Sequence, residues 1–301
     1  MIYKKLGRTG EKIPAIGMGT WKLGANPEDE IHAIREGIRL GMNFVDTAEM
    51  YHTEQIVGEA LKGQDDVFVA TKVSPDHLRY KDVIKACDQS LKTMGIKTID
   101  LYQIHWPNPN IPISQTMQAM ERLVKEGKIR HIGVSNFLPE ELVEAQEAMK
   151  SNEIVSNQVE YSVLARDIEK ELLQICTKAG ITVIAYSPLA RGSVYNGKDK
   201  AFSILDKIAK KHNKTIAQVS LSWVIEKEDV IAIPKTASPD HMAENASASE
   251  FKLDKEDLEQ IDSIRTGFMP ISRRLNRFTK RTSILWSKLM EKRESLRKFK
   301  I

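Results

Sequence analysis

The sequence predicts one closed (β/α)8 barrel followed by a basic C-terminal extension, and three observations predict it. Short apolar runs of strand length alternate with stretches of helical period along the chain, the order that a parallel sheet with crossover helices produces. Eight strand candidates fall within about 270 residues, the size of one barrel. The phosphate-binding glycine spacing of a doubly wound sheet, the alternative fold, is missing: the nearest cluster, GMGTWKLG, lacks G-x-G-x-x-G and does not lead at once into a helix.

The elements follow in order. Ile16 to Thr20 is the first predicted strand. Asn26 before Pro27 reads as an N-cap with a proline at the first helical position, opening a helix that gathers Ile31, Ile34 and Ile38 on one face. Asn43 to Ala48 and Val67 to Val73 are the next strands, and Val83, Cys87, Leu91 and Met94 form the following helical stripe. Leu101 to Trp106 is backed by Met117, Met120 and Val124. His131 to Val134 and Val155 to Gln158 come fifth and sixth. Ile168, Leu172, Ile175 and Ala179 predict one helix before Ile181 to Tyr186. Gly192 to Asn213 reads as an extra loop and helix, after which Ile216, Val219 and Trp223 mark the regular crossover helix and Val230 to Ile233 the last strand. Gly41, Gly95, Gly127 and Gly180 stand where helices hand over to strands. We therefore expect a barrel over residues 1–269 and an extension over 270–301.

Composition narrows the class. With 301 residues, 41% hydrophobic and 29% charged, the chain has the material for a large core, which excludes disorder and collagen-like repeats. Cys87 and Cys176 lack any C-x-x-C partner, so no disulfide framework is expected and a reducing cytoplasm is the expected compartment. The start, MIYKKLGRTGEKIP, has no apolar signal region, and no window reaches the roughly 18 apolar residues of a membrane span. Net charge is +4, but residues 270–301 hold 11 Lys/Arg against Glu291 and Glu294, which leaves the rest at −5. Such an acidic body is not expected to bind nucleic acid.

Barrel enzymes place their chemistry at the C-terminal ends of the strands. Here the predicted strands end in Asp46, Lys72, His105, Ser135 with Asn136, Gln158, Tyr186 with Ser187, and Lys235. Asp46 and Lys72 lie on adjacent strands, where a cation at the mouth needs an anion to offset its desolvation. Tyr51 follows Asp46 by five residues, and an ammonium beside it would lower a phenol pKa that is about 10 in the free side chain. His105 can hydrogen-bond a substrate oxygen, while Trp21, Met50 and Trp106 can wall the pocket. The set reads as a carbonyl site, and no metal site is expected.

These residues sit in eight segments: GMGTW, DTAEMYHTEQIVGEAL, ATKV, LYQIHWP, IRHIGVSNF, NQVEYS, AYSPLARG and IPKTASPDHMAEN. In that order they resemble the aldo-keto reductase family over roughly residues 3 to 267. The resemblance implies a tetrad of Asp46, Tyr51, Lys72 and His105, with hydride transfer from NADPH to an aldehyde or ketone and Tyr51 protonating the oxygen. It implies that Asn136 and Gln158 hold the nicotinamide carboxamide with Ser135, that Tyr186 stacks on the ring, and that Ser187 and Leu189 line the pyrophosphate path. Gly19, Thr20 and Trp21 would lie beside the cofactor, as would Asp46. Lys235 and Thr236 would meet the 2′-phosphate, and Glu244 and Asn245 the adenine.

His241 stands where the pattern usually has arginine, so a smaller preference for NADPH is expected and NADH is the less favoured cofactor. His52 follows Tyr51 where many relatives have a small residue. His131 and His212 read as structural or solvated, and Glu49 has no assigned task. The extension, with Leu285, Leu289, Leu296 and Phe299 on one helical face, reads as lid, packing or subunit contact ahead of a membrane or nucleic-acid contact. Two other readings stand beside the reductase. One is an NADPH-sensing regulatory subunit with a partner-binding tail, which an intact tetrad disfavours. The other is a Schiff-base aldolase using Lys72, which pairing with Asp46 disfavours.

Overall fold

A computed structural model of the chain describes residues 1–197 and 199–264. Its sheet follows from the apolar, β-branched runs: β1 (Tyr3–Lys5) and β2 (Lys12–Pro14) form an antiparallel hairpin, and eight parallel strands come after it. These are β3 (Met18–Gly19), β4 (Phe44–Asp46), β5 (Phe68–Val73), β6 (Ile99–Ile104), β7 (Ile129–Ser135), β8 (Ile154–Glu160), β9 (Thr182–Tyr186) and β10 (Val230–Ile233). They pair in sequence order. The first and last meet through Gly17 N–H to Ala232 O at 2.8 Å and Gly19 N–H to Pro234 O at 2.9 Å, which closes the barrel. Closure excludes the doubly wound alternative.

Helices cover the outside: α1 (Pro27–Arg39), α2 (Glu54–Leu61), α3 (Tyr80–Met94), α4 (Ile113–Lys125), α5 (Pro139–Ala148), α6 (Leu172–Ala179), α7 (Lys200–His212), α8 (Ile216–Glu226), α9 (Pro239–Ser247) and α10 (Lys255–Asp262). Helix α7 is the predicted extra element. Gly95 and Gly180 close α3 and α6 in the left-handed region, at φ 67° and 57°, where a β-carbon would be strained.

The period of two splits the core into two zones. One cluster holds Phe44, Ala70, Leu101, Val155, Ile184 and Ile231 inside the barrel, with Leu6 and Ile13 of the hairpin added. The hairpin therefore plugs the end opposite the strand C-termini. Outward residues such as Val45, Val69, Tyr102 and Val183 pack with Ile34, Val83, Met120 and Leu221 of the helices. Each fully buried aliphatic side chain contributes about 1.5–3 kcal/mol relative to exposure.

Three expectations need correction. Asn26 caps α1 by position only: its side chain makes no cap hydrogen bond and instead donates to Asp29 at 2.5 Å. The Glu30 carboxylate satisfies the turn entering the helix, accepting from the Gly24, Ala25 and Asn26 N–H groups. The single helix predicted through Ile168 and Ala179 is broken at Glu171 (φ −154°) into a 3-10 turn, Asp167–Lys170, and α6. The hairpin, α2 and α5 were not anticipated. The hairpin strands are three residues long and rich in lysine, and α2 is a short helix that carries Gly58 in its interior, where a β-carbon would lie 2.4 Å from Met94 O of α3. The predicted extension, 270–301, lies outside the described residues. Among those described, no helix is long and apolar enough to cross a membrane.

Candidate active site

Alternation within the strands decides which polar groups enter the barrel. Lys72 shares the inward face of β5 with Phe68 and Ala70, and His105 continues the face of Leu101 and Gln103 on β6. Register then sets Asp46 beside Ala70, Lys72 beside Gln103 and Ser135 beside Gln158. Above these apolar layers lies a polar one.

At its centre the Lys72 ammonium donates to Asp46 Oδ1 at 2.5 Å and to Thr47 O at 2.7 Å, with both side chains of the pair buried. The other carboxylate oxygen, Oδ2, accepts from Gln158 Nε2 at 2.8 Å and Gln103 Nε2 at 3.1 Å. Every oxygen of the buried carboxylate is thus engaged, as a charge taken out of water requires. Burial by itself would lower the Lys72 pKa, but the charge of Asp46, supported by Tyr51, outweighs it and holds lysine above its usual range. The ammonium stays charged.

Tyr51 closes the group. Its ring centroid is 4.8 Å from Lys72 Nζ, and its hydroxyl is 3.3 Å from His105 Nε2. The expectation of a lowered phenol pKa is not met: burial raises it, the Lys72 charge only partly opposes this, and the net direction is upward. The phenol is held protonated, the form a general acid needs. Burial, aided by Lys72, pushes His105 down to about 3, so the imidazole is neutral. Its Nδ1 is buried and has no hydrogen-bond partner among the described residues. An orphaned acceptor is more tolerable than an orphaned donor, which places the single proton on Nε2 beside the Tyr51 oxygen.

Gln103 is one residue that sequence reading missed. Its signal was present in LYQIHWP, where the only amide in the strand lies two positions before His105 and so on the same face. Gly133 makes room for it, since a β-carbon there would lie 2.9 Å from Gln103 Cγ and 2.5 Å from Ser156 Oγ.

The group opens into a cavity of about 1070 Å³. Its lining includes all the cofactor and substrate candidates of the sequence: Gly19, Thr20, Trp21, Met50, Trp106, Ser135, Asn136, Gln158, Tyr186, Ser187, Leu189, Lys235, Thr236, His241, Glu244 and Asn245. Of the tetrad, Asp46, Tyr51 and His105 line it, and Lys72 lies behind them. Lys22, Arg191 and Tyr195 also line the cavity and were not anticipated. Lys22 and Arg191 both approach the Trp21 ring, at 4.6 and 5.6 Å from its centroid.

Several candidates already have partners. Asn136, at φ 61°, accepts from the Tyr186 hydroxyl at 3.0 Å and donates to His105 O at 3.1 Å. Ser135 Oγ donates to Gln158 O at 2.9 Å. The Thr20 hydroxyl donates to Asp46 O at 3.0 Å, so it braces the strand end. Ser187, Ala190 and Arg191 are non-glycine residues at positive φ in the loop after β9, the kind of backbone strain that collects around ligands. Lys235 and Thr236 precede α9, whose cap Ser238 accepts from His241 N–H at 3.4 Å, and His241 is exposed on its first turn.

Two histidines outside the cavity have structural neighbours. His131 stacks on Phe68 at 6.4 Å, and His212 pairs with Asp257 at 2.6 Å. His212, Asp254 and Asp257 lie close enough together to suggest a cation site, but the Lys211 ammonium already contacts both carboxylates, at 2.6 and 2.8 Å. Cys87 and Cys176 are both buried.

Comparison with known proteins assigns the class. The sequence pattern described as the aldo/keto reductase family matches residues 15–266. A methylglyoxal reductase of Escherichia coli is 40% identical over 271 residues, covering 87% of this chain and 95% of its own. A glyoxal reductase of Bacillus subtilis is 35% identical, covering 85% and 90%. Among solved structures, a thermostable aldo-keto reductase bound to the inhibitor epalrestat superimposes with a TM-score of 0.83 at 42% identity, over 87% of this chain and 99% of that one. An aldo/keto reductase of Klebsiella pneumoniae, in complex with NADP and acetate, gives 0.81 at 37% identity, over 86% and 94%. The chain belongs to the aldo/keto reductase family, and as such it is an oxidoreductase built on a (β/α)8 barrel.

Proposed function

We propose that this protein reduces a small aldehyde or ketone to the alcohol with NADPH, with Tyr51 as general acid. The observation that carries the reading is the convergence of Tyr51, Lys72, Asp46 and a neutral His105 on one cavity large enough for a dinucleotide and a small carbonyl together. When bound, NADPH supplies the hydride. His105 donates its Nε2–H to the carbonyl oxygen and so polarises and orients it. Tyr51 delivers its proton to that oxygen as negative charge develops there, and the Lys72 ammonium stabilises the phenolate left behind. Asp46 holds Lys72, and Gln103 and Gln158 hold Asp46.

The donor set suits the cofactor. Gln158 gives its Nε2 to Asp46, which leaves Oε1 for a carboxamide N–H, and Asn136 and Ser135 complete that corner. Tyr186, tethered through its hydroxyl, offers a ring face for stacking. Lys235, Thr236 and the N-terminus of α9 suit a 2′-phosphate dianion, while Glu244 and Asn245 suit an adenine edge. Trp21, Met50 and Trp106 would wall the substrate side. Barrel residues 1–269 would form the catalytic unit in a cytoplasmic setting. The relatives named for methylglyoxal and glyoxal reduction make these α-dicarbonyls the first substrates to try.

Tyr51→Phe tests the reading, because it keeps the ring and removes the hydroxyl, and with it the transferred proton. NADPH consumption with methylglyoxal should fall by roughly 10²- to 10⁴-fold in kcat, with NADPH affinity retained. A variant that turns over like the parent refutes the assignment.

A further inference from the structure

Tyr51 rides on a single 3-10 turn, Glu49–Tyr51, in which Glu49 and Tyr51 are half-buried and Met50 is exposed. The buried Ala48 and Thr53 hold the segment on either side, but the Glu49 end of the turn is not fixed by burial alone. Its own backbone bonds are few, Tyr51 N–H to Ala48 O at 3.0 Å and His52 N–H to Glu49 O at 3.4 Å, and it exits through His52 at φ 58°. Yet a proton donor must be held within a fraction of an ångström.

The Glu49 carboxylate supplies the missing anchor. Its Oε2 accepts from the Ser74 N–H at 2.8 Å, and its Oε1 pairs with His77 Nδ1 at 2.5 Å. Ser74 lies directly beyond β5 and two residues after Lys72, so this one side chain ties the turn bearing Tyr51 to the strand end bearing its ammonium. Glu49 does not line the cavity, although Met50 and Tyr51 do. We infer that Glu49 is a positioning residue that sets the Tyr51 hydroxyl against Lys72 and His105 without touching substrate or cofactor. The inference rests on the role proposed above for Tyr51.

Glu49→Ala removes both bonds, whereas Glu49→Gln keeps an acceptor for Ser74. The alanine variant should lower kcat by about 10- to 100-fold at unchanged NADPH affinity and binding stoichiometry, and the glutamine variant should restore most of the loss. In the oxidation direction the pH profile of kcat, which reports the tyrosine, should move in the alanine variant and not in the glutamine one. His77→Ala, which releases one of the two bonds, should fall between and serves where Glu49→Ala fails to fold. Parental kcat and profile in Glu49→Ala or His77→Ala overturn the inference. So does a loss matched by fewer NADPH sites with an unmoved profile, which is misfolding. Tyr51→Phe run alongside separates the failures: an active Tyr51→Phe sinks the role of the tyrosine, and an inactive one beside a parental Glu49→Ala sinks only that of Glu49.

Discussion

At Asp46 and Lys72 two opposite charges lie out of water, and their attraction mainly offsets the desolvation of both. Losing one partner strands the other, so Asp46→Ala should destabilise the fold by about 3–5 kcal/mol in chemical denaturation, and adding Lys72→Met should recover much of that. Equal losses in the single and double variants would show that the pair is not the cause. At His105 the effect is one of linkage. The unfolded imidazole takes a proton near pH 6.5, whereas the folded one refuses it until about pH 3. The unfolded state therefore binds more protons in that window, and stability falls as pH drops through it, by up to about 4 kcal/mol. Denaturation midpoints between pH 7 and 4 should fall less steeply in His105→Gln, and parallel curves would refute the account. The position of His105 was legible at the end of LYQIHW, but its neutrality was not, because Lys72 on another strand helps to impose it.

Among the elements, the hairpin shows how much a weak pattern can conceal. Lys4 on β1 sends its ammonium to the carbonyls of Ile225, Lys227 at 2.6 Å and Val230 at 2.8 Å, where α8 ends and β10 begins. One side chain thus caps the last turn of α8 at the Ile225 carbonyl and ties it to the turn and strand that follow. Lys4→Met keeps the stem and removes the donors, and we expect a loss of about 1.5–3 kcal/mol, with faster amide exchange at the end of α8. Stability equal to the parent would show these bonds to be idle. No reading of YKK finds them, since the partners are more than 220 residues away. The barrel strands were legible because their apolar runs have strand length and polar ends. Helices α2 and α5 were not, because they are short and their apolar faces are incomplete.

Across the whole molecule, the cavity brings together cations from distant loops. Among the described residues, Lys22, Arg191 and Lys235 line one mouth, with Asp46 neutralised by its partner and Glu244 the other carboxylate there. An anionic dinucleotide should stabilise the fold by mass action, by about 2.7 kcal/mol at a hundredfold excess over Kd. NADPH should raise the Tm more than NADH at equal concentration, and Lys235→Met should narrow that gap by weakening NADPH about tenfold or more. Equal shifts from both cofactors in the parent would refute the 2′-phosphate assignment.

The order of the eight barrel strands, the closed barrel they imply, and the residue types at the strand ends were determined by the sequence alone, because burial patterns with periods of two and 3.6 are local. Tertiary structure alone decided the rest. Gln103 bonds Asp46, Glu49 reaches Ser74, Tyr51 is pushed toward the protonated form, and Lys22 and Arg191 meet at Trp21 only after closure joins residues from different strands. Desolvation and Coulomb forces act through space, and no local pattern in the chain records which distant groups will share it.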